Sequence, residues 1–120
     1  MISDEQQRVL LRISDLKAGW CTDGTGNRFK PSTIRNTGFL LTMFNDPTID
    51  ITPMIDGKSI VLTIHKYINT TMLGLSADSK HILVNVYANK FTVDVLDSKD
   101  TLLYQVDYNM KKFVNTYILA

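Results

Sequence analysis

The stretch Thr48-Ile49-Asp50-Ile51-Thr52-Pro53-Met54-Ile55-Asp56-Gly57-Lys58-Ser59-Ile60-Val61-Leu62-Thr63-Ile64-His65 decides the fold class. Before it, apolar residues recur every three or four positions. From Thr48 onward they recur every two. Ile49 and Ile51 alternate with polar residues up to Pro53, and Ile60, Leu62 and Ile64 alternate with Val61, Thr63 and His65. A period of two puts one set of side chains on a buried sheet face and the other on the opposite face. Asp56-Gly57 is a tight-turn signal, so a hairpin is expected here.

The same period continues downstream. Met72 to Leu75 form a short apolar run, and Ala77-Asp78-Ser79-Lys80 supplies turn chemistry. Ile82, Val84 and Val86 alternate with Leu83, Asn85 and Tyr87, and Phe91, Val93 and Val95 alternate with Thr92 and Asp94. Asn89-Lys90 is the expected link between these two strands. β-branched and aromatic residues dominate, as a half-buried sheet requires. The tail satisfies two periods. Leu103, Val106, Met110, Phe113 and Tyr117 fit one long helix from near Ser98, whereas Leu102, Tyr104 and Val106 fit a strand. The preferred reading is a strand paired with 91–96 through the Asp97–Asp100 turn. A helix capped at Asp107 then covers Met110, Phe113, Val114 and Tyr117.

Upstream, residues 3–18 read as a helix. Ser3 and Gln6 form a capping box, and Asp4 and Glu5 suit the positive end of the helix dipole. Val9, Ile13 and Leu16, with Leu10 beside them, make an apolar stripe, and Asp4 and Arg8 form an i,i+4 pair. Gly19 is the expected stop. A second helix is expected over 32–45, with Ser32 as its cap or Pro31 as its first residue. Ile34, Leu41 and Phe44 share a face with Gly38, and Leu40 and Met43 widen it. Asn45-Asp46-Pro47 ends it.

The expected architecture is an α+β fold. Two N-terminal helices precede an antiparallel meander sheet of five or six strands, and a C-terminal helix follows. With 120 residues, 44% of them apolar, residues 1–120 form a single domain around one core. Thirteen basic and twelve acidic side chains leave a formal charge of +1, so no strong long-range attraction to nucleic acid or anionic membrane is expected. One cysteine, Cys21, excludes an intramolecular disulfide. The N-terminal stretch lacks the basic start and apolar core of a secretory signal. No apolar run approaches the roughly 20 residues that a membrane span needs. A cytoplasmic location and a reduced thiol are therefore expected.

The punctuation forms a further pattern. Leu16 to Trp20 is followed by Asp23-Gly24-Thr25-Gly26, then by Lys30-Pro31-Ser32 opening a helix, then by Ile51-Thr52-Pro53 and Asp56-Gly57. This order resembles a group of small bacterial proteins of unknown function. Theirs is a helix ending in Gly-Trp, an Asp-Gly-x-Gly segment, a Pro-led helix and a Pro-x-x-Asp-Gly hairpin. The likeness spans about residues 10–76, with one extra residue between Trp20 and Asp23. It implies the order of elements and no activity.

The candidate site is the loop from Trp20 to Lys30 with the helix that follows. Trp20, Asp23, Arg28, Phe29, Lys30 and Arg35 would hold a partner segment or an anionic group, since Trp and Arg are over-represented at binding hot spots. The competing reading makes Trp20 a lid on the core and the glycines turn residues; for Trp20 it is the favoured one. Asp23-Gly24-Thr25-Gly26 follows a helix and lacks a third glycine, so it is no dinucleotide fingerprint, and no Gly-Lys-Ser/Thr makes a P-loop. Arg8 and Arg12 lie on the first helix, and with Arg28, Lys30 and Arg35 they are the basic grouping. A solvated face is the simpler reading of it. His65, His81 and Cys21 offer neither metal-ligand spacing nor a placed acid. Asp94, Asp97 and Asp100 cluster at a predicted turn, where Asp is common for its own hydrogen-bonding reasons. If an outer strand is unprotected, it can add to a partner's sheet.

No catalytic set is recognisable, and no cofactor or metal is expected. The expected function is a small non-enzymatic module that binds and occludes another protein, in the manner of antitoxins, immunity proteins and phage-encoded inhibitors. The alternative is a nucleotide or phosphorylated-metabolite site in the Trp20–Arg35 region. Nucleic-acid binding is a weaker third.

Overall fold

The structure, a computed structural model, describes residues 2–65 and 81–117 of the chain. Helices α1 (Asp4–Ser14) and α2 (Pro31–Phe44) precede strands β1 (Asp50–Pro53), β2 (Ile60–Ile64), β3 (His81–Val86), β4 (Lys90–Leu96) and β5 (Leu102–Asn109). Helix α3 (Met110–Tyr117) closes the described chain. The five strands form one antiparallel sheet in the order of the sequence. The α+β meander is as the sequence indicated. The Met72–Leu75 run and the 77–80 turn lie outside the described residues.

All three helices pack on one sheet face. Leu10 of α1, Leu40, Leu41 and Phe44 of α2, and Met110 and Phe113 of α3 join one buried cluster with the inward residues of β2, β3 and β4. Leu62, Val84, Val86, Phe91, Val93 and Val95 are completely buried there. Each such side chain contributes roughly 1.5–3 kcal/mol by leaving water. The opposite face carries cross-strand rows such as Thr63–Leu83–Asp94–Gln105. The Asn85 amide there donates to Thr92 and Asp94 at 3.0 Å, so this face is a polar ladder.

Three expectations are corrected. First, α1 ends at Ser14, not at residue 18. The Ser14 hydroxyl bonds back to the Leu11 carbonyl (2.7 Å), and the Asp15 N–H closes the last turn on Leu11 and Arg12. Residues beyond it turn away because the Gly19 N–H pairs with the Gly26 carbonyl (2.8 Å). Arg8 meets Glu5 (2.8 Å), not Asp4. The capping box is present, and the Gln6 side chain also reaches inward to the carbonyls of Asp46 (2.8 Å) and Ile49 (3.3 Å). Second, the buried face of α2 is Thr33, Asn36, Thr37, Leu40, Leu41 and Phe44. Ile34 instead joins a second cluster with Ile13, Phe29 and Ile60. Of the two openings, α2 takes Pro31 as its first residue; Asn45 ends it in a left-handed conformation. Third, β5 runs to Asn109, so Asp107 is in the strand and not a cap. Pairing decides this: β4 begins at Lys90, whose partner is Asn109. Asn109 then accepts the Lys112 N–H (3.0 Å) at the start of α3.

Candidate functional site

The Trp20–Lys30 loop is a small closed unit. The Cys21 N–H donates to the Thr25 carbonyl (2.8 Å) and the Gly24 N–H to the Cys21 carbonyl (2.9 Å). Asp23 at its tip accepts from the Thr25 hydroxyl and from the Thr25 N–H. These bonds, the hydroxyl's first, hold the Asp23 carboxyl below its ordinary pKa. Trp20 is half-buried; its indole N–H donates to the Asn27 carbonyl (2.7 Å). Its ring lies against Gly26, where a Cβ would come within 2.8 Å of ring atoms. Trp20 packs against the second cluster, 6.3 Å from the Phe29 ring. It serves as a lid on that cluster, and its one donor is already spent.

Residues 27–30 lead into α2 outside any helix or turn, Lys30 is extended, and exposure alternates from Arg28 to Lys30. Phe29 points into the second cluster and is only 3% exposed. Arg28 and Lys30, on either side of it, are exposed. An Arg-Phe-Lys alternation outside helix and turn is the signal that separates the buried ring from the outward cations. Of the six candidate residues, Arg28 and Lys30 are brought together. Arg35 borders an adjoining groove that also takes Asn36, Lys111 and Asn115. Trp20 and Asp23 line neither groove.

What Arg28 and Lys30 share is a groove of about 470 Å³ between the start of α2, the β1–β2 turn and the β3–β4 turn. Lys58 and Lys90 join them there, with Asp56 as the one carboxylate. Neither Lys58 nor Lys90 was among the candidates, because they lie 30 and 60 residues from Arg28 and Lys30 in the chain. The groove's walls are pinned. Asn27 donates through its N–H to Ile55 (2.8 Å) and through its side chain to Asp56 (3.1 Å). Buried Asn36 donates to the carbonyls of Tyr87 (3.1 Å) and Ala88 (2.9 Å).

A second surface lies at the opposite end of the sheet. β5 is an edge strand: among the described residues nothing pairs with its outer side. Its first residues are exposed, Leu102 by 53%, Leu103 by 56% and Tyr104 by 42%. The register shifts between Val95 and Leu96, which bulges Leu103 out of the ladder and takes Leu102 out of the alternation with Tyr104. The other edge, β1, is four residues long and ends in Pro53, which blunts it. The sequence signal for the exposed edge was present: the last strand of a meander is an edge, and Leu102-Leu103-Tyr104 is its most apolar part.

The remaining polar residues are dispersed. His65 pairs with Asp50 (2.8 Å) at the end of the β1–β2 hairpin remote from the turn that the Cys21 loop contacts. Asp97 accepts the N–H groups of Lys99 (2.8 Å) and Thr101 (3.0 Å), which is turn chemistry. Among the described residues, no three His, Cys, Asp or Glu side chains gather as a metal site would require, and no helix is long and apolar enough to cross a membrane. No family model matches the chain, and neither a curated protein nor a solved structure matches it.

Proposed function

We propose that the protein is a non-catalytic interaction module that binds and occludes another protein by accepting one of its extended segments along β5. The observation that carries this reading is the outer side of β5, where no strand of the described residues pairs, with Leu102, Leu103 and Tyr104 in solvent. Edge backbone groups supply affinity through ladder hydrogen bonds, and alternate side chains supply selectivity. Only Asp107 is charged along β5, so the edge lacks the lysines that normally guard such strands. The segment it suits is extended, apolar where it meets Leu102–Tyr104, and poor in acids.

A second copy fits less well. Antiparallel pairing of β5 with itself along its whole length sets the apolar trio against the end holding Asp107 and Asn109. Trio against trio leaves most of the strand unpaired. A different protein escapes that compromise.

The test compares capture from the lysate of the protein's own host by the wild type, by Leu103→Lys with Tyr104→Lys, and by the control Leu11→Lys. Leu11 is 65% exposed on α1, away from the edge. A stoichiometric partner kept by the wild type and the control, and lost by the edge variant, is expected. A partner that the edge variant keeps, a wild type that retains nothing, or a free protein that is dimeric by light scattering overturns the proposal.

A further inference from the structure

We infer that the groove between Arg28, Lys30, Lys58 and Lys90 is a binding site for a small molecule bearing a phosphate or diphosphate group. The site lies beside Lys90, which pairs with Asn109 at the end of β5 opposite the exposed Leu102–Tyr104 stretch.

Three segments of the chain bring the four cations to the groove. Arg28 comes from the loop and Lys30 from the N-cap position of α2, while Lys58 and Lys90 follow the β1–β2 and β3–β4 turns. None forms an ion pair with a carboxylate of the described residues, although all four are exposed. Lys90 instead rests its ammonium 5.3 Å from the centre of the Tyr87 ring. Asp56 is the single acid of the groove, and one of its oxygens already accepts the Lys58 N–H (2.9 Å). The protein is close to neutral as a whole, so this excess of positive charge is local. Like charges lining one concavity repel each other, and an anion relieves that repulsion.

The chemistry favours phosphate over a carboxylate. Arginine offers a planar fork to two oxygens, and lysines add point charges around the remaining ones. Three further facts agree. α2 has neither a side-chain cap nor an acid in its first turn, so its positive end is uncompensated beside Lys30. The groove's volume falls in the range of small-molecule sites. Its walls are held by the Asn27 and Asn36 amide bonds, so the cations stand on a fixed frame. A polynucleotide would need the Arg35–Lys111 groove as well, which Ala88 and Asn89 join to the first.

The test titrates the isotope-labelled chain with inorganic pyrophosphate and, separately, with a single-stranded oligonucleotide, following backbone amides by NMR. Pyrophosphate is expected to shift amides at 28–33, 56–58 and 87–90 in a saturable way. Lys58→Gln and Lys90→Gln should each weaken it about tenfold, as loss of a charge-assisted contact does. Lys17→Gln, the same charge change on an exposed residue outside the groove, should leave it unaltered. No shift at millimolar pyrophosphate, equal weakening by Lys17→Gln, or shifts centred elsewhere overturns the site. Tighter oligonucleotide binding that reaches Arg35, Lys111 and Lys112 overturns the small-molecule reading.

Discussion

Gly57 lies where the Trp20 loop crosses the β1–β2 hairpin. Its φ is +68°, and a Cβ there would come within 2.8 Å of the carbonyl oxygens of Asn27 and Arg28. Both obstacles are backbone, so they cannot swing aside. Gly57→Ala should therefore cost at least about 2 kcal/mol, combining left-handed strain with a forced displacement. Gly24, at φ +82°, has open space around its Cβ position. Gly24→Ala should cost only about 1–2 kcal/mol, from the backbone conformation alone. Urea unfolding of the two variants measures the difference; equal losses would mean that the loop does not press on the hairpin. At this scale the sequence was partly legible. The Asp56-Gly57 turn and the Ser3–Gln6 capping box were readable because turn and cap chemistry is local. The burial of Phe29 between exposed Arg28 and Lys30 was not read, since it depends on the segment packing against the second cluster. The inward bonds of Gln6 to Asp46 and Ile49 depend on a fold contact and have no local signal.

Among the elements, α3 shows most clearly how packing outweighs propensity. Its eight residues are too few for a stable isolated helix. Phe113 holds it: the ring meets Phe91 edge-on at 5.0 Å and Tyr108 at 5.9 Å. Tyr108 in turn stacks on Phe91 at 4.7 Å. Phe113→Ala should cost about 3–5 kcal/mol. It should also release α3 before the sheet unfolds, seen as faster proteolysis near residues 110–117 under native conditions. Loss of stability without selective cleavage would mean that α3 stays docked by other contacts. The same element exposes the limit of periodicity. Val106, Met110 and Phe113 satisfy a helical step, and Tyr104, Val106 and Tyr108 satisfy a strand step. The β4 register, and not either period, placed the boundary at Asn109.

At the scale of the molecule, the sheet has a protected middle and two unequal edges. Hydrogen exchange should be slowest in β2, β3 and β4, which have strands on both sides, and fastest among the strands in the outward amides of the edges β1 and β5. Outward β5 amides as protected as those of β4 would show that the edge is covered in solution. The two surfaces sit at opposite ends of this frame: the apolar edge beside Leu102, the basic groove beside Lys90. Composition hid both. A formal charge of +1 averages over Arg28, Lys30, Lys58 and Lys90 gathered in one place and acids spread elsewhere. Alternation and turn residues were enough for the α+β class, the strand order and the hairpin at Asp56-Gly57, because pleat and helix periods arise from the local backbone. Which cations converge and where α3 begins were decided by the folded chain. Each of these is a relation between segments tens of residues apart, and the free energy that sets it exists only once those segments pack together.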